Sequence, residues 1–421
     1  MDAAATRRQG QGTQKAVMAA IKAIILGAGY RGRAYAEYAK ARPSELEIVG
    51  VADPIQAKLI SSTKYWSDWR EALAAHPLAE VAIITLPDAL HYEAASMAIN
   101  AGYHILLEKP IATTLTKCEE IVKLAIDKRR MVMVGHILRY APYFRHIKAI
   151  IDTKELGEVV TITHQESLGF DKMAHSFVRG SLSNDEASSP MILTKCSHDF
   201  DLFAWWIGRK CKRVVSFGST QLFRHENRPS GAAERCVECP EEIASTCAWN
   251  AKRLYLKRDT LHYLFADSSA DSMRKVVAES RYGRCVFAAN NNVPDHQSVM
   301  LEFEGGATVC HMMTAFTERN LRTTRIGLTK GEIIGDGESI SITRFDGGNS
   351  DLGIPEKWQI ENSSRHGGGD FNLVTELLRV IRLDDEREFR RVTCEALASH
   401  TIAFAAELSR KEGGKVIEVN S

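Results

Sequence analysis

The chain has 421 residues, 54 Lys+Arg against 53 Asp+Glu, and a formal net charge of +1, with 44% hydrophobic and 25% charged residues. That length exceeds one ordinary core and fits two domains or three. Near-neutrality removes the bulk electrostatic case for nucleic acid or an anionic membrane, and no apolar run approaches the ~18 residues that a spanning helix needs.

The opening stretch "MDAAATRRQGQGTQKAVMAA" has no apolar h-region, so it does not read as a secretory signal. Its two arginines give it a faint transit-peptide flavour, but residues 1–19 read first as a disordered tail. Nine cysteines without a secretory signal point to a reducing compartment and mostly free thiols, which predicts a cytoplasmic protein.

From residue 20 to 140 strands and helices alternate. "IKAIILGAG" (21–29) is an apolar strand ending in glycines. "YRGRAYAEYAKAR" follows at helical spacing. "LEIVGVAD" (46–53) is a second strand ending in a carboxylate, and "SDWREALAA" (67–75) a helix with a serine N-cap. "EVAIITLPD" (80–88) is a third strand. "ALHYEAASMAINAG" (89–102) is a helix closed by Gly102. "YHILLE" (103–108) is a fourth strand, "TKCEEIVKLAIDKRR" (116–130) a helix with basic residues in its last turn, and "MVMVGH" (131–136) a fifth strand. Short apolar strands alternating with helices predict a parallel α/β sheet covered on both faces, with ligands at the carboxyl ends of its strands.

Gly27, Gly29 and Gly32 form G-x-G-x-x-G between the first strand and the first helix, with Tyr30 and Arg31 inside the motif. Such glycines allow a tight turn, close approach of a pyrophosphate, and close helix–strand packing. The helix N-terminus supplies free N–H donors for phosphate. Asp53 lies 21 residues beyond Gly32, where a carboxylate can accept from a ribose 2′-OH. It would repel a 2′-phosphate, so the pattern favours NAD over NADP. Without a ligand, Asp53 is a strand-end turn residue ahead of Pro54, and Arg31 a solvated charge.

The fourth strand ends in "HILLEKP" (104–110), which presents Glu108 and Lys109 and is stopped by Pro110. A lysine there is either a solvated strand end or a placed proton handler.

From residue 141 to 421 the pattern changes. After a connecting helix, "VVTITHQESLG" (159–169) alternates like a half-buried strand. Strand-like runs follow at 212–223, 284–291, 296–306, 307–316, 322–336 and 338–345, and helix returns over 371–411. This predicts an α+β substrate domain with an open, mostly antiparallel sheet beside the Rossmann-type domain, and an irregular cysteine-containing insertion at about 224–283.

With "LGAGYRG" (26–32), "ADP" (52–54), "EKP" (108–110) and "HDFDLFAWWIG" (198–208) in place, and "HGGGD" (366–370) beside them, the chain resembles the glucose–fructose oxidoreductase / inositol dehydrogenase / rhizopine-catabolism (Gfo/Idh/MocA) family from about residue 20 onward. The resemblance implies an NAD(P)-dependent dehydrogenase acting on a secondary alcohol of a sugar, cyclitol or sugar derivative. It implies Lys109 on the reacting hydroxyl, Pro110 beside the nicotinamide and Glu108 orienting the lysine. It also implies a catalytic His198, with Asp201 three residues on, and a homodimer or homotetramer formed through the exposed sheet face. Many relatives carry an aspartate four residues before the histidine, where this chain has Thr194. Lys195 and Asp199 are near enough to replace part of that pairing, and a lysine neighbour would lower the histidine pKa.

Further polar candidates for the substrate are Arg139 and Tyr140 after the fifth strand, and His175 and Arg179 in "KMAHSFVRG" (172–180); ordinary loop packing is the alternative for each. His164 reads as sheet surface or core. Cys236, Cys239 and Cys247 form C-x2-C-x7-C, consistent with a structural zinc or with free thiols. His225, His262 and Cys211 are the candidate fourth ligands, and no spacing selects one. Three functions compete. The first is net dehydrogenation. The second is NAD-dependent glycoside cleavage by transient oxidation, elimination and hydride return. The third is a silent dinucleotide-binding scaffold, which the presence of both Lys109 and His198 argues against.

Overall fold

The computed structural model describes residues 19–75, 79–186, 188–259, 261–265, 267–347, 356–359 and 365–419. The expected tail therefore lies outside the described residues except for its last position.

The five buried apolar runs become parallel strands β1 (Ile21–Leu26), β2 (Leu46–Ala52), β4 (Val81–Ile84), β5 (His104–Leu107) and β6 (Val132–Val134), and a two-residue, partly exposed β3 (Tyr65–Trp66) joins them at the edge. Their spatial order is β3-β2-β1-β4-β5-β6, all pairs parallel. This is the doubly wound order, in which the carboxyl ends of β1 and β4 flank the crevice where the winding reverses. The connecting helices are α1 (Tyr30–Ala41), α2 (Trp69–Ala74), α3 (His91–Asn100) and α4 (Leu115–Asp127). Asp68, not the expected Ser67, caps α2 by accepting from Arg70 N–H at 2.8 Å. Helix α4 stops at Asp127, before the basic residues, and Arg129 turns the chain at φ 52°.

After α5 (Pro142–Asp152) a second sheet forms. It contains β7 (Val159–Gly169), and the chain then passes through α6 (Phe170–Lys172), a π-turn over Met173–Arg179, and the long α7 (Met191–Ile207) to β8 (Cys211–Ser219). The insertion supplies α8 (Glu241–Ala244), α9 (Ala251–Leu256) and α10 (Ala270–Glu279). Strands β9 (His296–Phe303), β10 (Thr308–Thr317), β11 (Leu321–Leu328), β12 (Gly331–Gly335), β13 (Ser339–Arg344) and β14 (Glu356–Gln359) follow. They are followed by α11 (Gly369–Leu383), α12 (Glu386–Lys411) and β15 (Ile417–Glu418). The sheet order is β14-β13-β12-β11-β7-β10-β9-β8-β15, antiparallel except for the β7–β10 pair. Alternation puts Val299, Leu301, Val309 and Met313 inward, while Phe217, Met300, Met312 and Ile334 stay exposed on the other face.

The last two helices join the halves. Leu373, Val374 and Leu377 of α11 pack with Tyr35 and Tyr38 of α1 in one core cluster. On α12, Thr393 Oγ1 accepts from Val132 N–H (3.0 Å), and His400 Nε2 accepts from Ile111 N–H (2.9 Å). The same α12 buries Ile402, Ala403 and Ala406 in the core of the second sheet.

Candidate active site

The glycine loop is fixed by sterics. Gly27 sits at φ +98° with no room for a Cβ, which would lie 2.7 Å from the Thr85 carbonyl oxygen. A Cβ on Gly32 would meet the Gly27 oxygen at 2.1 Å, so helix and strand can pack this closely only with glycine there. At Gly29 a Cβ would face open space. Gly29 is the N-cap of α1 and offers no capping side chain. Asp53, at the end of β2, is bound to backbone: Oδ2 accepts from Ala28 N–H at 2.9 Å, and Oδ1 from Ile55 (2.9 Å) and Gln56 (2.7 Å). It thereby ties the glycine loop to the second strand.

Arg31 is not a solvated charge. Its Nε donates to Glu108 Oε1 at 2.6 Å and its Nη2 to Asp370 Oδ1 at 2.7 Å, while Tyr35 Oη donates to the same Glu108 oxygen at 2.7 Å. Burial opposes both charges, but Arg31 holds the Glu108 carboxyl below its ordinary value. Arg31 thus spans the glycine loop, the end of β5 and the start of α11. Glu108 orients Lys109 only through the chain: its carboxylate partners are Arg31 and Tyr35, and Lys109 N–H donates to Oε2 at 3.2 Å.

Lys109 turns inward. Its Nζ donates to the backbone carbonyl of Thr194 on α7. Burial lowers its pKa, helped by Lys195 and Arg31 and opposed by Asp88 and Glu108. The Lys109–Pro110 bond is cis, and the Pro110 carbonyl lies 2.6 Å from His91 Nδ1. His198, one turn after Thr194, lies edge-on to His136 with ring centroids 5.9 Å apart, and its Nδ1 is buried without a hydrogen-bond partner among the described residues. Burial pushes its pKa well down, with Lys109, His136 and Arg322 acting in the same direction. The imidazole is neutral at neutral pH.

The expected helpers of His198 are engaged elsewhere. Lys195 Nζ lies 2.5 Å from Glu166 Oε1, and it is not Lys195 but burial, Lys109, His136 and Arg322 that depress His198. Asp199 takes Arg322 Nε at 2.6 Å and has His164 Nε2 at 3.2 Å. Arg322 Nη2 also lies 2.7 Å from Glu166 Oε2, which closes a buried chain Lys195–Glu166–Arg322–Asp199–His164. His164 is a core histidine within that chain. Asp201 points away from His198, to Arg139 (2.7 and 3.0 Å) and His136 (3.4 Å).

The structure places the four substrate candidates as follows. Arg139 is spent on Asp201 and Glu395. Tyr140 borders that ion-paired cleft, and its carbonyl accepts from Asn372. His175 stacks on Tyr282 (centroids 4.5 Å, 3° apart) beside Tyr255. Arg179 donates to the carbonyls of Arg284 and Trp249, both at 2.7 Å. These last two anchor the insertion, His175 by aromatic packing and Arg179 by capturing two carbonyls through Nε and Nη2.

Three residues that sequence reading missed, Lys172, Glu166 and Arg322, belong to the same wall. Lys172 is pushed down to about 8 by burial, with Lys195 and Lys109 adding to the shift. The signal for Glu166 was its place on the inward register of β7, shared with Ile162 and Leu168. Cys236, Cys239 and Cys247 line one small cavity, joined there by Cys285.

Fold and site together define a two-domain dinucleotide-binding protein with a buried lysine and a neutral histidine at the carboxyl end of its parallel sheet. Residues 21–136 match the family model described as the oxidoreductase family, NAD-binding Rossmann fold. An uncharacterised oxidoreductase of Schizosaccharomyces pombe is 33% identical over 151 residues, 34% of this chain and 41% of that protein. Inositol 2-dehydrogenase of Salmonella typhimurium is 26% identical over 203 residues, 46% of this chain and 56% of that protein. The chain thus spans about half the length of the curated relatives it matches. Among solved structures, levoglucosan dehydrogenase in complex with NADH and levoglucosan superposes with TM-score 0.70 at 16% identity, covering 95% of this chain and all of that one. An NAD-binding oxidoreductase from Klebsiella pneumoniae gives 0.69 at 18%, covering 96% and 100%. These two likenesses speak for the fold.

Proposed function

We propose that the chain is an NAD(H)-dependent dehydrogenase. It would move a hydride between the secondary alcohol carbon of a sugar, cyclitol or related polyol and the nicotinamide. The reading rests chiefly on Lys109: a buried lysine of lowered pKa at the end of β5, held against α7 one turn from a neutral His198. Inositol 2-dehydrogenase among the relatives and levoglucosan dehydrogenase among the structural neighbours support a polyol or sugar as substrate.

Gly27, Gly29 and Gly32, with the first turn of α1, would hold the pyrophosphate. Asp53 would hold the adenosine ribose and favour NAD over NADP, and Glu108 and Pro110 would flank the nicotinamide. The bound cofactor supplies the hydride acceptor. Lys109 binds the substrate oxygen and stabilises charge as it develops there, while the His198 imidazole takes the hydroxyl proton. Lys195 and Lys172 present ammonium groups on the same wall, and Asp199 fixes Arg322 behind it. No feature of the site favours glycoside cleavage over net dehydrogenation. We also propose self-association through the sheet face that carries Phe217, Met300 and Met312.

A panel of sugars, cyclitols and aryl glycosides incubated with NAD, read both at the NADH band and for product release, tests the proposal. NADH formation with at least one polyol is the expected result; product release without NADH would select the glycosidase instead, and silence in both channels would leave the scaffold.

A further inference from the structure

The insertion between β8 and β9 packs Leu254, Tyr255, Met273 and Val277 into the core of the second domain but is built mostly from short pieces. Its helices α8, α9 and α10 span four, six and ten residues, and among the described residues it contributes no strand to either sheet. Besides the hold of His175 and Arg179, an antiparallel bridge pairs Arg235 with Arg284. There Cys236 N–H donates to the Gly283 carbonyl (2.9 Å) and Cys285 N–H to the Glu234 carbonyl (2.8 Å). The bridge brings Cys236 beside Cys285, 49 positions later in sequence. Cys239 follows three residues after Cys236, and Cys247 arrives from the turn after α8, its N–H on the Ile243 carbonyl at 3.1 Å.

All four cysteines line one cavity of about 20 Å³, closed by Arg179, Trp249 and Phe287, with no three of their sulfurs mutually within 4.8 Å, so that an ion would draw them together. That is room for one water-sized or ion-sized occupant. Arg179 Nη2 lies 3.6 Å from Cys236 Sγ and supplies a positive charge at the same place.

The fourth ligands that sequence spacing left open are elsewhere. Cys211 Sγ donates to the Arg213 carbonyl in β8, His262 Nε2 lies 2.9 Å from the Tyr255 carbonyl, and His225 belongs to an exposed turn.

We propose that Cys236, Cys239, Cys247 and Cys285 bind one Zn²⁺ as four thiolates, a structural site that staples the insertion onto the second domain. Four soft sulfur ligands with no open position suit structural zinc. Binding releases the four thiol protons to solvent. The resulting complex carries a net charge of about 2−, by the charge of four thiolates on one dication, and Arg179 offsets part of it.

The test uses the full-length protein purified without chelator, with metal content measured by inductively coupled plasma mass spectrometry. About one zinc per chain is expected by the four-ligand stoichiometry. Cys285→Ser and Cys239→Ser should fall below roughly a tenth of that, while Cys310→Ser, exposed on β10, should keep it. Stripping the wild type with a strong chelator should lower its melting temperature, and added Zn²⁺ should restore it. Wild-type protein that holds no zinc, either as purified or after equilibration with Zn²⁺, overturns the proposal even if the variants fail to fold. So does iron in place of zinc, or zinc retained by Cys285→Ser. Thermal stabilisation by NAD, measured on the same samples, reports the dehydrogenase reading separately.

Discussion

Arg31, in the first turn of α1, and Glu108, at the end of β5, are joined by a 2.6 Å Nε–Oε1 contact across 77 residues. One ion pair therefore fixes the glycine loop relative to the strand end that bears Lys109. Asp370 brings α11 into the same network, so three separate segments share one buried charge.

Glu108→Gln leaves Arg31 with Asp370 alone. Loss of a buried charged partner costs about 1–3 kcal/mol. A lower urea midpoint is expected, and an unchanged midpoint would mean that the pair contributes nothing to stability.

Lys109→Met tests the proposed reaction centre. Turnover on whichever substrate the panel yields should fall by about 10²–10⁴-fold. Thermal stabilisation by NAD should persist, because the glycine loop is untouched. Burial already disfavours the ammonium, so the melting temperature should hold or rise. Turnover within a few-fold of wild type would return Lys109 to a plain strand terminus.

Asp53 is expected to set cofactor preference. Wild type should be stabilised more by NAD than by NADP. Asp53→Ser should lose about tenfold of that preference, ~1.4 kcal/mol. It should also weaken NAD itself, because the Ala28 N–H loses its acceptor. Equal stabilisation of wild type by both cofactors would overturn the assignment.

Acid should unfold the protein through its buried histidines. Burial holds His175, His311 and His400 down at about 3 and His104 at about 4. Their unfolded value is about 6.5. Each folded pKa is lowered, so the unfolded state binds more protons below that value. The stability is complete above about pH 6.5 and declines as pH falls towards the folded pKa values. The slope is about 1.4 kcal/mol per pH unit for each histidine involved. Urea midpoints between pH 7 and 5 should show the decline. His311, packed between Phe200 and Phe203 with neither ring nitrogen hydrogen-bonded among the described residues, offers the cleanest variant. His311→Phe should reduce the slope by one proton.

The parallel sheet was legible because its strands are buried on both faces and therefore read as unbroken apolar runs. Lys109 could be singled out because a strand that ends in Glu-Lys-Pro breaks its apolar pattern abruptly. The second sheet was legible as alternation, though not its order, since pairs such as β7 with β10 join strands about 140 residues apart in sequence. The polar partners were the least readable. Nothing local distinguishes Arg139, which is consumed by Asp201 and Glu395, from a substrate arginine. Likewise nothing local tells that Lys195 turns to Glu166.

By itself the sequence determined the strand–glycine–helix–strand–acid unit, because backbone sterics at Gly27 and Gly32 and the burial of short apolar strands act within tens of residues. Only the tertiary structure decided which charges meet. It set Arg31 against Glu108 and Asp370, closed the chain from Lys195 to His164, and brought Cys285 to the other three cysteines. Ion pairs and cavity linings depend on distances of a few ångströms, and those are fixed by how distant segments pack rather than by their spacing along the chain.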